Sequence, residues 1–285
     1  MVLNIVGYLF MDILQSKMYK KMAANNDFEI LRNIDANPKE VMAFNFKTPL
    51  DVFEKSYRHS HRKAQLLYVK NGVLNCEVDN AIWLVPAQNA VWIPSGLSHC
   101  VFGTGAVECV SIYFEPTKKV SLPENCCTLL VSRLLRELIM ACSLFVITEK
   151  YSKQELNIIN VLLDEICIAK VEKLYLPMPA DAKLQDLVGF LINDPSNKQK
   201  MSQIAKQIGM SERNLARKLS EETGLSYGQW KRQLHIVTAI KKLSLGESVK
   251  SIAYELGYES SSSFVTMFKK VLGKPPLRYN IDSDK

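Results

Sequence analysis

The chain has 285 residues, of which 47% are hydrophobic and 23% charged, with seven cysteines and a formal net charge of +7. These proportions describe a soluble globular protein with room for about two domains, and they argue against a disordered, collagen-like or membrane-spanning chain. A chain of this length also builds a core without disulfide or zinc staples.

The apolar run from Val2 to Leu14 is broken by Asn4 and Asp12, and the run from Leu138 to Ile147 is too short for a bilayer, which requires roughly 20 apolar residues. The first lysine is Lys17, after the leading apolar run, so no secretory signal is expected and the protein is read as cytoplasmic. Residues 1–36 carry little further signal.

Between residues 37 and 124, short β-branched and aromatic runs alternate with turn residues. Strands are predicted at Gln65–Lys70, Val73–Val78, Ile82–Val85, Ala90–Ile93, Cys100–Phe102 and Glu108–Phe114. The predicted turns are Asn71-Gly72, Asp79-Asn80, Pro94-Ser95-Gly96 and Gly103-Thr104-Gly105. Six strands at about ten-residue spacing suggest a β-barrel or jelly roll.

This part holds three of the four histidines, His59, His61 and His99. Residues two apart on a strand share a face, so His59, His61 and Gln65 have the same parity. The spacing His59-x-His61-x3-Gln65-x6-Gly72 resembles the first cupin motif, with Gln where Glu is usual, and Pro94-x-Gly96-x2-His99 resembles the second. His59, His61, Gln65 and His99 are therefore a candidate divalent-metal set for Zn, Ni, Mn or Fe, although a neutral amide oxygen is a poorer ligand than a carboxylate. Direct contact with an organic effector and a purely structural role stay open beside it. Tyr68 and Trp92 join the histidines and Gln65 as candidate effector contacts. With Trp83, Phe102 and Tyr113 they are candidates for the wall of an apolar pocket or for barrel core.

Beyond Asn125 the apolar positions recur at three and four: Leu129, Leu130, Leu134, Leu135, Leu138 and Ile139, then Leu156, Ile159, Leu162, Leu163 and Ile166. A helical segment over 125–179 is predicted, packing on the barrel or pairing two subunits, and Leu176-Pro177-Met178-Pro179 ends it as an interdomain joint. The cysteines (Cys76, Cys100, Cys109, Cys126, Cys127, Cys142 and Cys167) lack CxxC spacing and are read as reduced structural thiols.

Residues 180–285 carry 17 Lys+Arg against 11 Asp+Glu, whereas residues 1–179 carry 19 against 18. Such asymmetry suits a phosphate-binding domain joined to a neutral partner, and equally an inert basic surface. An internal repeat favours the first. Ile204-Ala205-Lys206-Gln207-Ile208-Gly209 recurs as Ile252-Ala253-Tyr254-Glu255-Leu256-Gly257, and Leu215, Leu219 and Gly224 are echoed by Phe264, Phe268 and Gly273. Each copy reads as helix, glycine turn, helix: Gly209 allows a positive φ, Ser211 caps the second helix, and Arg213 and Arg217 project together one turn apart. Two guanidiniums on one exposed stripe suit guanine edges or phosphates in a major groove. The intervening helix, Tyr227–Leu245, would be about 28 Å long, near the ~34 Å spacing of successive major-groove faces.

The last hundred or so residues closely resemble the DNA-binding domain of the AraC/XylS family of bacterial transcription regulators. The resemblance runs through Ile204-Ala205, Gly209, Ser211, Leu215, Arg217, Gly224, Ala239, Leu243, Ile252-Ala253, Gly257-Tyr258, Phe264, Phe268-Lys269, Gly273, Pro276 and Tyr279. It implies groove-entering roles for Arg213, Ala216 and Arg217 in the first unit and for Ser261, Ser262, Val265 and Thr266 in the second. Lys269 and Lys270 are expected on phosphates. His235 and Asn280 depart from the family, which usually has Arg at both places.

The resulting expectation is an α+β chain: a cupin-like sensor barrel over 37–124, the helical segment over 125–179, and an all-α domain with two helix-turn-helix units over 180–285. Its function would be a sequence-specific regulator controlled by a small-molecule or metal effector. It would act as a homodimer on double-stranded promoter DNA, with RNA polymerase a further candidate partner and no membrane. The competing expectation is a cupin metalloenzyme, a dioxygenase or isomerase using the three histidines, for which Glu77 and Glu108 are the only acid/base candidates.

Overall fold

The computed structural model describes residues 34–48, 56, 58–78, 81–115, 121–146 and 150–279. Most of the segment 1–36, the Asp79-Asn80 turn and Asn280 lie outside them. From Val41 onward the chain forms one unit.

Its first half is an antiparallel sheet of eight strands: β1 Val41–Thr48, β2 Ala64–Val78, β3 Ala81–Pro86, β4 Asn89–Ile93, β5 His99–Phe114, β6 Cys127–Leu130, β7 Val171–Glu172 and β8 Tyr175–Pro177. The order is β1-β5-β2-β4-β6-β7, and β3 bonds to both β2 and β8. Two predicted turns are not turns. Asn71-Gly72 lies inside β2 and Gly103-Thr104-Gly105 inside β5, and the six predicted strands merge into four. The register slips on either side of Asn71, so the extra residues are taken up as an irregularity in the ladder. Gly72 has φ +82°, and a Cβ placed there would sit 2.2 Å from the Ala106 carbonyl oxygen; the close approach of β2 and β5 requires a glycine.

Pleating sorts the side chains onto two buried faces. Leu66, Tyr68, Trp92, Ile112 and Phe114 point one way and are covered by two helices, α1 Arg133–Cys142 and α2 Lys153–Ile168, through Leu135, Ile139, Ile159, Leu162 and Ile166. Leu67, Val69, Val91, Ile93 and Cys109 point the other way and pack with Leu74, Cys76 and Val85. Each fully buried aliphatic side chain in these layers contributes about 1.5–3 kcal/mol. The segment after Asn125 does not begin as a helix. Cys127–Leu130 pairs with β4, with Cys127, Thr128 and Leu129 buried and Leu130 exposed, and the helical period starts only at the Ser132 cap.

Six more helices follow: α3 Ala182–Asn193, α4 Met201–Gln207, α5 Glu212–Thr223, α6 Tyr227–Ser244, α7 Val249–Glu255 and α8 Ser261–Leu272. The repeat is visible in the backbone. Gly209 and Gly257 take φ of +67° and +80° at the two turns. Ser211 and Ser260 cap α5 and α8, and Gly224 and Gly273 end them in the left-handed conformation.

The expected joint at Leu176–Pro179 is not an open linker. Tyr175–Pro177 is a strand on β3, and Leu174 and Leu176 share a core with Val73 and Leu84 of the sheet and Trp230, Leu234 and Val237 of α6. The indole of Trp230 donates to the Pro177 carbonyl, Gln233 donates to that of Lys173, and Lys274 pairs with Glu172. No helix among the described residues is long and apolar enough to cross a membrane.

Candidate effector site and nucleic-acid interface

His59, His61 and His99 converge at one end of the sheet, with one ring nitrogen from each within 4.8 Å of the others. The backbone brings them together: His59 and His99 exchange main-chain hydrogen bonds of 2.9 and 2.8 Å, and the Gly96 amide in the Pro94-Ser95-Gly96 turn donates to the His61 carbonyl at 2.8 Å. His61 and His99 are buried and His59 is exposed.

The Nδ1 of His99 lies 2.8 Å from the Leu97 carbonyl and that of His61 lies 2.5 Å from the Lys63 carbonyl. A carbonyl accepts only, so both Nδ1 atoms carry the proton, and in the neutral ring of His99 the Nε2 carries the lone pair. The Nε2 of His99 is buried without a hydrogen-bond partner among the described residues, and burial lowers the pKa of this imidazole to about 4, which keeps it neutral. The Nε2 of His61 faces Gln65 Oε1 at 3.2 Å, while Gln65 Nε2 donates to the Ser111 and Tyr113 hydroxyls at 2.7 and 3.2 Å. The amide oxygen is an acceptor, so this contact is bridged by a ring proton of His61 or, once that proton is displaced, by a cation. Backbone carbonyls on Nδ1 are the outer-shell partners that orient histidine ligands. The donor set fits a first-row divalent metal.

Not every predicted contact joins this group. Gln65 pairs with Tyr113 across β5, whereas Leu66 pairs with Trp92, so the pleat puts Trp92 and Tyr68 on the opposite, helix-covered face. There Tyr68 donates to Gln88 and Trp92 to the Pro123 carbonyl. Trp83 stacks on Tyr175, away from the triad. Tyr113 is beside it, 5.2 Å from the His61 ring. Tyr113 was expected as pocket wall or barrel core and Ser111 was not named, although their two-residue spacing on a strand already gave them one face.

In the helical half, Leu215 and Leu219 are buried and Arg213 and Arg217 are exposed on α5, with Ala216 half-buried. Arg217 donates to both Glu221 oxygens at 2.8 and 2.7 Å and to Asn214 at 3.0 Å. On α8, Ser262 and Thr266 are exposed and Ser261 and Val265 half-buried, next to exposed Lys269 and Lys270. His235 is buried in α6 between the Tyr258 hydroxyl and the Pro195 carbonyl, each 2.9 Å away.

The helix-turn-helix domain pattern matches residues 204–280. The HTH-type transcriptional regulator NimR of Escherichia coli K12 is 40% identical over 221 residues, spanning 78% of this chain and 81% of that protein. The chain belongs to the AraC/XylS family of transcription regulators. The HTH-type transcriptional regulator RipA of Corynebacterium glutamicum is 26% identical over 103 residues, 36% of this chain and 31% of that one. Among solved structures, ToxT of Vibrio cholerae is 13% identical over 85% of this chain and 98% of its own, with a TM-score of 0.36.

As an AraC/XylS protein the chain is a DNA-binding transcription regulator, and the metalloenzyme expectation is set aside. The carboxylates considered for it are engaged elsewhere: Glu77 with Arg58 at 2.5 Å and Glu108 with Lys70 at 2.7 Å. Six of the seven cysteines are buried and Cys167 is half-buried. Burial pushes the thiols of Cys109 and Cys142 up to about 12 and that of Cys127 to about 11, so they pack as small apolar groups.

Proposed function

We propose that this AraC/XylS regulator is a one-component, metal-responsive switch. The sheet receives a first-row divalent cation on His59, His61 and His99, with Gln65 as an outer or weak fourth donor, and the helical half responds at promoter DNA. The buried Nε2 of His99, without a hydrogen-bond partner among the described residues, carries this reading, because a buried acceptor without a donor costs about 1–3 kcal/mol unless something binds it. The bound metal would supply fixed positive charge and a template joining the segment before β2 to the start of β5. The chain's own residues hold the rings by their Nδ1 atoms, exclude water from His61 and His99, and couple the site to the helices.

One row of strand partners supports the coupling. His99 of β5 lies opposite Val78 of β2, Val78 opposite Ala81 of β3, Ala81 opposite Pro177 of β8, and Pro177 accepts from Trp230 of α6. An occupant that binds two arrangements of this row with different affinity shifts DNA occupancy by that difference.

On DNA, Arg213, Ala216 and Arg217 of α5 read one major-groove turn, and Ser261, Ser262, Val265 and Thr266 of α8 the next; Lys269 and Lys270 hold phosphates. The regulator works in the cytoplasm as a homodimer on a two-site promoter, with RNA polymerase as the partner it recruits or blocks. Elemental analysis of the purified full chain tests the sensor half, followed by DNA binding with and without added Zn, Ni, Mn or Fe. About one metal per chain, lost in His99→Ala together with the metal-dependent change in DNA affinity, is expected. Full-length protein that binds no metal but keeps its response in cells would move the effector site elsewhere.

A further inference from the structure

A concave groove of about 570 Å³ opens between the N-terminal half of the linking helix α6 and the flank of α8. Leu225, immediately beyond the α5 cap, and Met267 form part of its floor; Arg232 of the linking helix α6 and Lys270 of α8 stand on its rim, and no carboxylate lines it. Elsewhere in this domain Arg217 is paired with Glu221, Lys218 with Asp181 and Lys242 with Glu247. Neither Arg232 nor Lys270 has an acidic partner among the described residues. The hydroxyls of Ser263 and Thr266, also on the lining, donate to their own helix backbone, which leaves the two cations as the charged donors.

The position identifies the occupant. Ser263, Thr266 and Lys270 form a stripe one helical step around from the reading positions of α8, and Thr266 belongs to both. A helix lying in a major groove is walled by phosphate strands on its flanks. When two such helices enter successive turns on one face of a duplex, the strands bordering the intervening minor groove pass between them.

We infer that this groove seats the sugar-phosphate backbone between the two reading turns, with Arg232 and Lys270 as sequence-independent phosphate clamps. The linking helix is then part of the DNA-binding surface as well as a spacer. The inference rests on the reading of α5 and α8 as the helices that enter DNA.

The test uses the full chain, a duplex selected by it from a random pool, and an unrelated duplex, with affinity measured across a salt series. Arg232→Gln and Lys270→Gln are each expected to lower the slope of log affinity against log salt by about 0.9, on both duplexes alike, and the double variant by about twice that. The preference for the selected duplex should be unchanged, and Arg232→Lys should restore the slope. Wild-type slopes in both Gln variants, with unchanged melting temperature, would overturn the inference. So would unchanged DNA binding accompanied by lost association with RNA polymerase, which would make the groove a protein-docking site. A wild-type chain that binds no duplex at any salt would instead remove the underlying reading.

Discussion

The Nε1 of Trp230 donates to the carbonyl oxygen of Pro177 at 2.8 Å, and this bond ties the helix between the two DNA-reading units to a strand of the sheet. Trp230 is fully buried, and Pro177 lies in the row of strand partners that begins at His99. Trp230→Phe keeps an apolar ring but strips the donor, leaving a buried carbonyl unpaired. A loss of about 1–3 kcal/mol is expected in chemical denaturation. The same variant should bind DNA with near wild-type affinity without metal and respond less to it. A variant of equal stability with a full metal response would show that coupling runs by another route.

Arg213 and Arg217 share an exposed face, but only Arg217 arrives with its guanidinium already held, by Glu221 and Asn214. DNA must displace Glu221 before Arg217 is used. Arg213→Ala is therefore expected to cost about 1–3 kcal/mol on the selected duplex, and Arg217→Ala less. Glu221→Gln should tighten binding by about 0.2–1 kcal/mol, the size of an exposed ion pair. Competition titrations at fixed salt measure all three; weaker binding by Glu221→Gln would mean that Glu221 positions Arg217 rather than occupying it.

His235 gives the helical half a pH dependence with a definite sign. Burial, reinforced by the nearby Lys231 charge and opposed by the Pro195 carbonyl, holds its pKa below the ordinary value of about 6.5. Its other neighbour, Tyr258, is itself pushed up to about 12 and stays neutral. The unfolded chain thus binds the proton more readily than the folded one. Stability contributed by the neutral ring is complete above about pH 6.5 and declines as the pH falls through the window beneath it. Melting temperatures from about pH 8 down to about pH 5.5 should fall more for the wild type than for His235→Gln; parallel curves would contradict the assignment.

Much of the helical half was legible in the sequence because its signals are local. Glycines at 209 and 257, serine caps at 211 and 260, and apolar residues at three and four act within one or two turns of chain, so the two units appear where the repeat put them. The histidines were legible for a similar reason: parity and a glycine turn brought His59, His61 and His99 together. Parity also separates Tyr68 from Gln65, three positions away, and so argued against the place first given to it.

The rest depended on register and approach, which are relations between distant segments. A glycine with positive φ serves a hairpin or an irregular strand equally well, and only the pairing of β2 with β5 on either side decides that Gly72 lies in a strand. Pairing of Leu66 with Trp92 turned that indole away from the histidines, and pairing of β8 with β3 converted a proline-rich joint into a strand shared by sheet and helices. The amino-acid order by itself determined the two DNA-reading units and the residues of the triad, since capping, period and parity are short-range. Tertiary structure alone decided which faces those residues share, which arginine is already paired and what lies between the readers, since these follow from side chains that meet only after the chain has folded.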